Sequence, residues 1–168
     1  MTPRFKHWFF ANHWNISLVL LFLTSSVIAA LRAWELLYPS VGAVLGLSYF
    51  AQKQHLEETR LFKELFCDFN ARYDRMNEQL YALLDAPPDQ ALTRDESSFL
   101  YDYFNLCAEE YLYYRKGYID LEVWIAWQNG MKIFYSNPRI RALWDTDLQT
   151  NSYYGFSTAC LLAKRNSS

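Results

Sequence analysis

Several residue types are scarce in this chain of 168 residues, and each scarcity excludes a class of protein. There are three widely spaced cysteines, which excludes a disulfide framework and a zinc knuckle. Neither sign of charge dominates, because 16 basic residues face 18 acidic ones, so a dedicated nucleic-acid binder is not expected. The chain also lacks any alternating strand pattern of useful length. These absences predict an all-α protein.

Motifs of catalysis are missing as well. The sequence contains no P-loop, no G-x-G-x-x-G, no G-x-S-x-G and no H-E-x-x-H. None of the three histidines (His7, His13 and His55) follows a glutamate at the spacing of a di-iron site. We therefore expect no catalytic residue, no metal, no cofactor and no enzyme activity.

The composition is instead rich in apolar residues, and they concentrate at the beginning of the chain. No charged residue occurs between Lys6 and Arg32, and a second uncharged run covers residues 36–52. A helix that crosses a bilayer needs about 20 apolar residues. Aromatic residues flank both runs, as they do at membrane interfaces. Both runs are therefore predicted to lie in a membrane.

The predicted anchor is a transmembrane helical hairpin in residues 1–52, with helices over about 8–31 and 36–52. Glu35 is placed in the turn, because a carboxylate at the centre of a bilayer is energetically costly. Basic residues precede the first run and follow the second, which favours cytoplasmic locations for both termini. Residues 53–168 are then a cytoplasmic helical domain.

Two other interpretations of the first residues stay open. A cleaved signal peptide would use the basic start of the chain and Val27-Ile28-Ala29 as its cleavage site. Alternatively, one run spans the membrane while the other lies on the surface or packs in the core. The long aromatic leader, the second apolar run and the unpaired cysteines favour the hairpin over cleavage.

Small residues recur at a spacing of four within both apolar runs. Gly42 and Gly46 form a G-x-x-x-G motif, and Ser26 and Ala30 share the same spacing in the first run. Small side chains on one face allow a second helix to approach closely. These faces either pack against each other within the chain or form the interface with a second copy or a larger membrane partner.

The segment behind the second run predicts a long helix. Residues 53–85 contain neither glycine nor proline, and their apolar residues recur at steps of three and four. This pattern is typical of an amphipathic helix, which we expect to continue from the second run and to end at Pro87-Pro88. Its apolar stripe consists of Phe62, Leu65, Phe69, Tyr73, Met76, Leu80 and Leu83.

Four further helices are predicted from their end signals. Thr93 and Glu96 form a capping box, and the helix that they open should run to a left-handed cap at Gly117. The others are a helix capped by Asp120 that runs towards Tyr135, a short helix opened by Asn137-Pro138, and a last helix over 152–164.

The densest group of polar residues lies around Glu109 and Glu110. Adjacent residues on a helix point about 100° apart, so these carboxylates cannot serve one site together. In a structural interpretation, Glu110 accepts hydrogen bonds or an arginine inside the bundle, Glu109 is solvated, and the spaced tryptophans, Trp144 among them, are core anchors. In a functional interpretation, a polar pocket binds a small ligand and is lined by Glu110, Tyr114, Arg115, Trp124 and Trp127.

The block of residues 109–120 runs from acidic through aromatic and basic residues to Gly, Ile and Asp, and spaced tryptophans and Pro138 follow it. Together with the stretch 41–54, it resembles a group of uncharacterised bacterial proteins with an N-terminal membrane helix and a cytoplasmic helical domain of unknown function. The resemblance covers roughly residues 40–160. It implies the bacterial inner membrane as location and carries over no catalytic residue.

The leading functional hypothesis is a membrane-anchored helical interaction module, either a homo-oligomer or an accessory subunit of a larger membrane complex. The predicted hairpin, the G-x-x-x-G motif and the long amphipathic helix favour it. The alternative is a membrane-bound sensor or defence-type protein whose helical domain binds a small ligand. Membrane lipid is an expected partner in both cases, and nucleic acid in neither.

Overall fold

The computed structural model describes the backbone of residues 3–87 and 89–163. Within these ranges it describes the side chains of residue 12 and of all residues from 14 onward. Every regular element within these ranges is a helix, which confirms the all-α class. The helices are α1 (Pro3–Leu31), α2 (Leu37–Asp85), α3 (Arg94–Arg115), α4 (Leu121–Tyr135), α5 (Pro138–Leu148) and α6 (Thr158–Leu162), and a short 3-10 helix (Trp34–Leu36) lies between α1 and α2.

The chain divides into two units, Met1–Leu61 and Phe62–Ser168, and the boundary falls inside α2. With 49 residues, α2 is the longest helix described. At 1.5 Å per residue it extends over about 73 Å. Its continuity confirms that the predicted amphipathic helix continues from the second apolar run, since no helix-breaking residue interrupts residues 53–85.

The first unit contains a helix that meets the requirements for crossing a membrane. Among the residues described, one stretch is long and apolar enough, Trp14–Leu31 in α1. A core helix of a soluble protein would be mostly buried, whereas 6% of this stretch is buried. The exposed leucine, valine and phenylalanine side chains of α1 therefore have the character of a membrane anchor or a signal sequence.

The prediction of a transmembrane hairpin is wrong, because no stretch of α2 qualifies as a second span in the described part of the chain. Tyr38 and Pro39 precede the apolar residues of α2, and Lys53 follows them. The apolar residues 41–51 cover about 16 Å of helix, roughly half of a hydrocarbon core about 30 Å thick. A single span places its two ends on opposite sides of a membrane, so the argument for two cytoplasmic termini no longer applies.

Although α2 provides no second span, it contacts α1 within the first unit. The hydroxyl oxygens of Ser17 and Ser48 lie 2.6 Å apart, and Ser48 also donates to the carbonyl oxygen of Val44. Ile28, Val44 and Ser48 are the buried residues of this unit in the part described. The contact between the two helices is thus partly polar.

The small residues predicted to form an interface lie away from this contact. A Cβ atom built on Gly42 or Gly46 would meet no atom within 4 Å, and Ser26 and Ala30 are exposed. The glycine pair therefore leaves a narrow strip of α2 that no other described part of the chain covers.

The second unit is a helical bundle around an aromatic core. The stripe on α2 supplies Phe69, Leu80 and Leu83, each at most 3% exposed. The helices α3, α4 and α5 pack on one another, and α6 packs on α4. In the core, the rings of Phe104 and Trp144 stack with their centroids 4.4 Å apart. Burial of these rings is the main source of stabilisation that this unit offers.

Three of the predicted end signals act as expected, two at α3 and one at α5. Thr93 accepts from the backbone N–H of Glu96 at 3.2 Å and donates its own N–H to the Glu96 carboxylate at 2.7 Å, which confirms the capping box. Gly117 follows α3 with φ +78°, the left-handed conformation expected of it. The side chain of Asn137 caps α5. Asp120 stands at the N-cap position of α4, but its side chain makes no capping hydrogen bond.

The last helix is shorter than predicted. Instead of residues 152–164, α6 covers Thr158–Leu162. The segment before it bends, because Asn151, Tyr154 and Gly155 have positive φ angles that a helix does not accommodate. Lys164 at the predicted end lies outside the described residues, as does Pro88 after α2.

Candidate functional site

Three helices of the second unit line a cavity of about 160 Å³ next to the side chain of Glu110. On each helix the lining residues lie within about two turns of one another, so each helix presents one face to the cavity. The lining residues are Asn70 and Tyr73 from α2, Tyr103 and Glu110 from α3, and Ala126, Trp127, Gly130 and Met131 from α4.

The cavity has a buried floor and an accessible rim. Tyr103, Glu110 and Met131 are 2%, 5% and 2% exposed and form the floor. Ala126 is exposed and marks the rim. A Cβ atom built on Gly130 would meet no atom within 4 Å, in agreement with its place on the cavity wall. The lining of the cavity thus extends from buried residues at Glu110 to an exposed residue at Ala126.

Glu110 is 5% exposed, and no hydrogen bond to its carboxyl group is found among the described residues. The fully buried polar atoms without a partner in the described structure belong instead to Asn77, Arg139 and Trp144, so the carboxyl oxygens of Glu110 keep some access to the cavity. Burial is the main cause that raises its pKa to about 8, since the charged form loses its hydration. The positive charge of Arg72 opposes this increase, and the negative charge of Glu109 adds to it. Glu110 is therefore mainly protonated, and uncharged, at neutral pH.

The neighbouring carboxylate of Glu109, which was expected to be solvated, pairs with Arg72 instead. Arg72 on α2 donates from Nη1 to Oε2 of Glu109 at 2.6 Å and from Nη2 to Oε1 at 3.2 Å. This paired geometry occupies both carboxylate oxygens. The inward position expected for Glu110 is correct, but its expected arginine partner is not found, because the guanidinium group meets Glu109 instead.

Aromatic side chains form much of the cavity wall. Trp127 is supported by Phe66, with parallel rings 6.1 Å apart, and by Phe69, with an edge contact at 5.6 Å. Burial, followed by the effect of Tyr81, raises the pKa of Tyr73 to about 12. Burial also raises the pKa of Tyr103 well above its usual range. Both hydroxyl groups are uncharged at neutral pH, so Glu110 is the one lining residue that can carry a charge there.

The five residues predicted to line a pocket do not lie together. Glu110 and Trp127 line the cavity. Tyr114 and Trp124 instead stack on each other 5.2 Å apart, and the guanidinium group of Arg115 lies 5.9 Å from the ring centre of Tyr111. The contacts among these four residues form a second cluster, and none of the four lines the cavity.

The cavity also contains residues that sequence reasoning placed elsewhere. Tyr73 belongs to the predicted apolar stripe of α2, which favours a position in the core, and Tyr103 lies in the middle of α3 without a motif of its own. Their hydroxyl groups were the available signal, because a buried tyrosine needs a polar partner or access to water. Asn70, next to the stripe, was the second sign of a polar cavity.

A second buried charged residue, Arg139, lies outside this cavity. Its Nη1 donates to the backbone carbonyl of Leu83 at 3.4 Å, and its Nη2 lies 4.0 Å from the Glu96 carboxylate. The Leu83 carbonyl is in the last turn of α2, where such groups lack partners within the helix. Arg139 therefore links the end of α2 to the start of α5. No group of three or more metal-binding side chains occurs in the described ranges.

Comparisons with protein-family models, curated proteins and solved structures find no match to this chain. The resemblance to bacterial membrane-anchored helical proteins accordingly stays a prediction.

Proposed function

We propose that this protein is a membrane-anchored helical domain that binds a small ligand in the cavity beside Glu110. The observation that supports the proposal is the Glu110 carboxyl group, which is 5% exposed, has no hydrogen-bond partner among the residues described and faces a cavity. A buried polar group without a partner costs free energy, and a leucine or methionine would fill the same place more favourably. Ionisable residues that occupy buried positions, where apolar side chains are usually preferred, are concentrated at functional sites.

Membrane attachment is assigned to α1. The stretch Trp14–Leu31 exposes apolar side chains that water does not accommodate well. The three free cysteines favour a reducing compartment for the helical domain, and we place that domain on the cytoplasmic side of a bacterial inner membrane. A ligand-binding domain next to a membrane anchor is the arrangement of a sensor.

Ligand binding is expected to raise the thermal stability of the full chain purified in a non-ionic detergent. The screen uses small amines, small carboxylic acids, uncharged polar metabolites and nucleotides. A ligand at 100 times its Kd stabilises the folded state by about 2.7 kcal/mol. The increase should disappear in Glu110→Gln and persist in Asp102→Asn, because Asp102 is an exposed carboxylate of α3 that does not line the cavity. A flat response of the unmodified chain to all four classes contradicts the proposal.

An interaction module is the second candidate function, and the uncovered strip at Gly42 and Gly46 favours it. A surface without side chains allows another helix to approach its backbone closely. The strip would then join α2 to a second copy of the chain or to a larger membrane protein. This function is compatible with ligand binding, since the strip and the cavity lie in different units.

Replacing Gly42 and Gly46 together with leucine is expected to disperse the assembly, because the leucine side chains would separate the two backbones. Chemical cross-linking in detergent should show the main species change from oligomer to monomer. The matched control replaces the same two residues with alanine, which keeps the strip narrow and should preserve the oligomer. An unchanged cross-linking pattern in the leucine variant would exclude this face as the interface.

A further inference from the structure

The chemistry of the cavity also indicates the class of ligand, an inference that rests on the proposed ligand-binding function. We propose that the cavity binds a small organic cation of the alkylammonium type, held by the carboxylate of Glu110 and the rings of Trp127, Tyr73 and Tyr103. Three features of the cavity favour such a ligand: its charge, its aromatic wall and its size.

The charge of the cavity favours a cation over an anion. Glu110 is the one lining residue with an ionisable group that can be charged near neutral pH, and no lining residue is basic. The nearest arginine, Arg72, is engaged by both carboxylate oxygens of Glu109. An anion would therefore meet a carboxyl group and no available positive partner, whereas a cation would supply the partner that Glu110 lacks.

The aromatic wall favours an alkylated ammonium group over a metal ion. Aromatic ring faces attract organic cations, with a free energy of about 2 kcal/mol when the cation is desolvated. Trp127, the strongest such ring, is held in position by Phe66 and Phe69. A metal ion would need several oxygen or nitrogen ligands, and a single carboxylate does not provide them.

The size of the cavity limits the ligand to a small molecule. Its volume is about 160 Å³. A cavity of roughly 150 Å³ holds one molecule of benzene. Tetramethylammonium and choline are compact ions of comparable dimensions, whereas a nucleotide is far larger. Choline and tetramethylammonium are therefore suitable probes.

Binding of a cation should release a proton. Glu110 has a pKa of about 8 in the empty cavity, and a bound cation favours its charged form, so the carboxyl proton leaves to solvent as the cation enters. The titratable and charged groups that face Glu110 are Arg72 and Tyr73 from α2 and Tyr103, Cys107 and Glu109 from α3, while the lining residues of α4 carry none. Burial raises the pKa values of Tyr73, Tyr103 and Cys107, so Glu110 determines the expected pH dependence.

Isothermal titration calorimetry of the full chain in a non-ionic detergent tests this inference. Choline and tetramethylammonium are titrated at pH 6.5 and at pH 8.5, with dimethylbutanol, the uncharged carbon isostere of choline, as the matched control ligand. We expect both cations to bind, the control to bind far more weakly, and the affinity to increase roughly 25-fold between the two pH values, in proportion to the ionised fraction of Glu110. Glu110→Gln should abolish binding of the cations, and Asp102→Asn, the same change at an exposed carboxylate of α3 outside the cavity, should retain it.

The possible results separate this inference from the proposed function. Binding of dimethylbutanol as tight as that of choline would overturn the cation assignment but leave a ligand cavity. Suppose instead that an uncharged or acidic molecule stabilises the protein, that Glu110→Gln removes this effect, and that neither cation binds. The cation assignment would again be overturned, and the ligand cavity would remain. Cation binding that survives Glu110→Gln would place the cation elsewhere and overturn the inference. Absence of any binding, by cations and by all other probes, would refute both proposals.

Discussion

Glu110→Gln is expected to stabilise the folded protein by about 3 kcal/mol at pH 7. The unfolded chain releases the Glu110 proton near the usual glutamate pKa of 4.5, whereas the folded protein holds it up to a pKa of about 8. At pH 7, folding therefore has to return a proton to this carboxyl group, which costs free energy. Glutamine has the same shape and carries no proton to return.

The sign of this effect gives it a characteristic pH dependence. Because the pKa of Glu110 is higher in the folded state, the group destabilises the protein increasingly as pH rises from 4.5 to about 8. The advantage of the glutamine variant should be about 1 kcal/mol or less at pH 5 and grow to about 3 kcal/mol at pH 7. All other titratable groups are shared by the two proteins and cancel in the difference.

Chemical denaturation of the full chain in detergent, followed by circular dichroism at pH 5, 7 and 8.5, measures this difference. Glu109→Gln is the matched control, since it removes the adjacent carboxylate, which is about one-third exposed and paired with Arg72. It should lower the free energy of unfolding by no more than about 1 kcal/mol. Because the charge of Glu109 adds to the raised pKa of Glu110, its removal should alter the pH dependence only in part and by less than Glu110→Gln does. Parallel pH curves for the unmodified chain and Glu110→Gln would contradict a buried, protonated Glu110.

Trp144→Ala is expected to destabilise the second unit by about 3–5 kcal/mol. The indole is fully buried, stacks on Phe104 at 4.4 Å and makes edge contacts with Tyr103 and Tyr135 at 5.7 and 5.9 Å. Truncation to alanine would leave a large cavity in the core. It would also remove the ring contacts that connect α5, which contains Trp144, with α3 and α4. A loss of this size is a large fraction of the stability of an ordinary domain.

The same change at Trp34 provides the matched control, because its side chain is 60% exposed. Thermal unfolding followed by circular dichroism should show a large decrease in Tm for Trp144→Ala and a change of less than about 1 kcal/mol for Trp34→Ala. Equal and small effects of both substitutions would show that Trp144 is not a core residue.

Much of the fold was predictable from local signals in the sequence. The start of α3 at Thr93, the turn at Gly117 and the start of α5 at Asn137 are found where these residues indicated. These signals work because a cap or a left-handed glycine satisfies backbone groups of its own turn, without help from distant residues. The start of α6 was less predictable, because Ser152 and Ser157 are equally suitable N-cap residues by type, and it is Ser157 that caps the helix.

The membrane segment shows how composition alone can mislead. Residues 36–52 contain no charged residue, yet they include Tyr38, Pro39 and Ser40 and form no second span in the described structure. The absence of charge is necessary for insertion but not sufficient, because a span also needs length and sustained apolarity. The contact between Ser17 and Ser48, in turn, could not be foreseen from either helix by itself.

The candidate site was predicted in part. Glu110 and Trp127 were selected and do line one cavity, but Tyr114, Arg115 and Trp124 belong to another cluster. Periodicity shows which face of a helix is buried and leaves open which neighbour that face meets. For this reason the apolar stripe that contains Tyr73 predicts a core position rather than a place on a cavity wall.

By itself, the sequence determined the helical class, most helix ends and the apolar character of α1, because periodicity, capping and hydropathy act over a few turns of one chain segment. The tertiary structure alone decided that Arg72 binds Glu109 rather than Glu110, and that the three helices leave a cavity beside the unpaired carboxyl group. The partners of a charged side chain depend on the relative positions of helices that are distant in sequence. No local pattern contains that information.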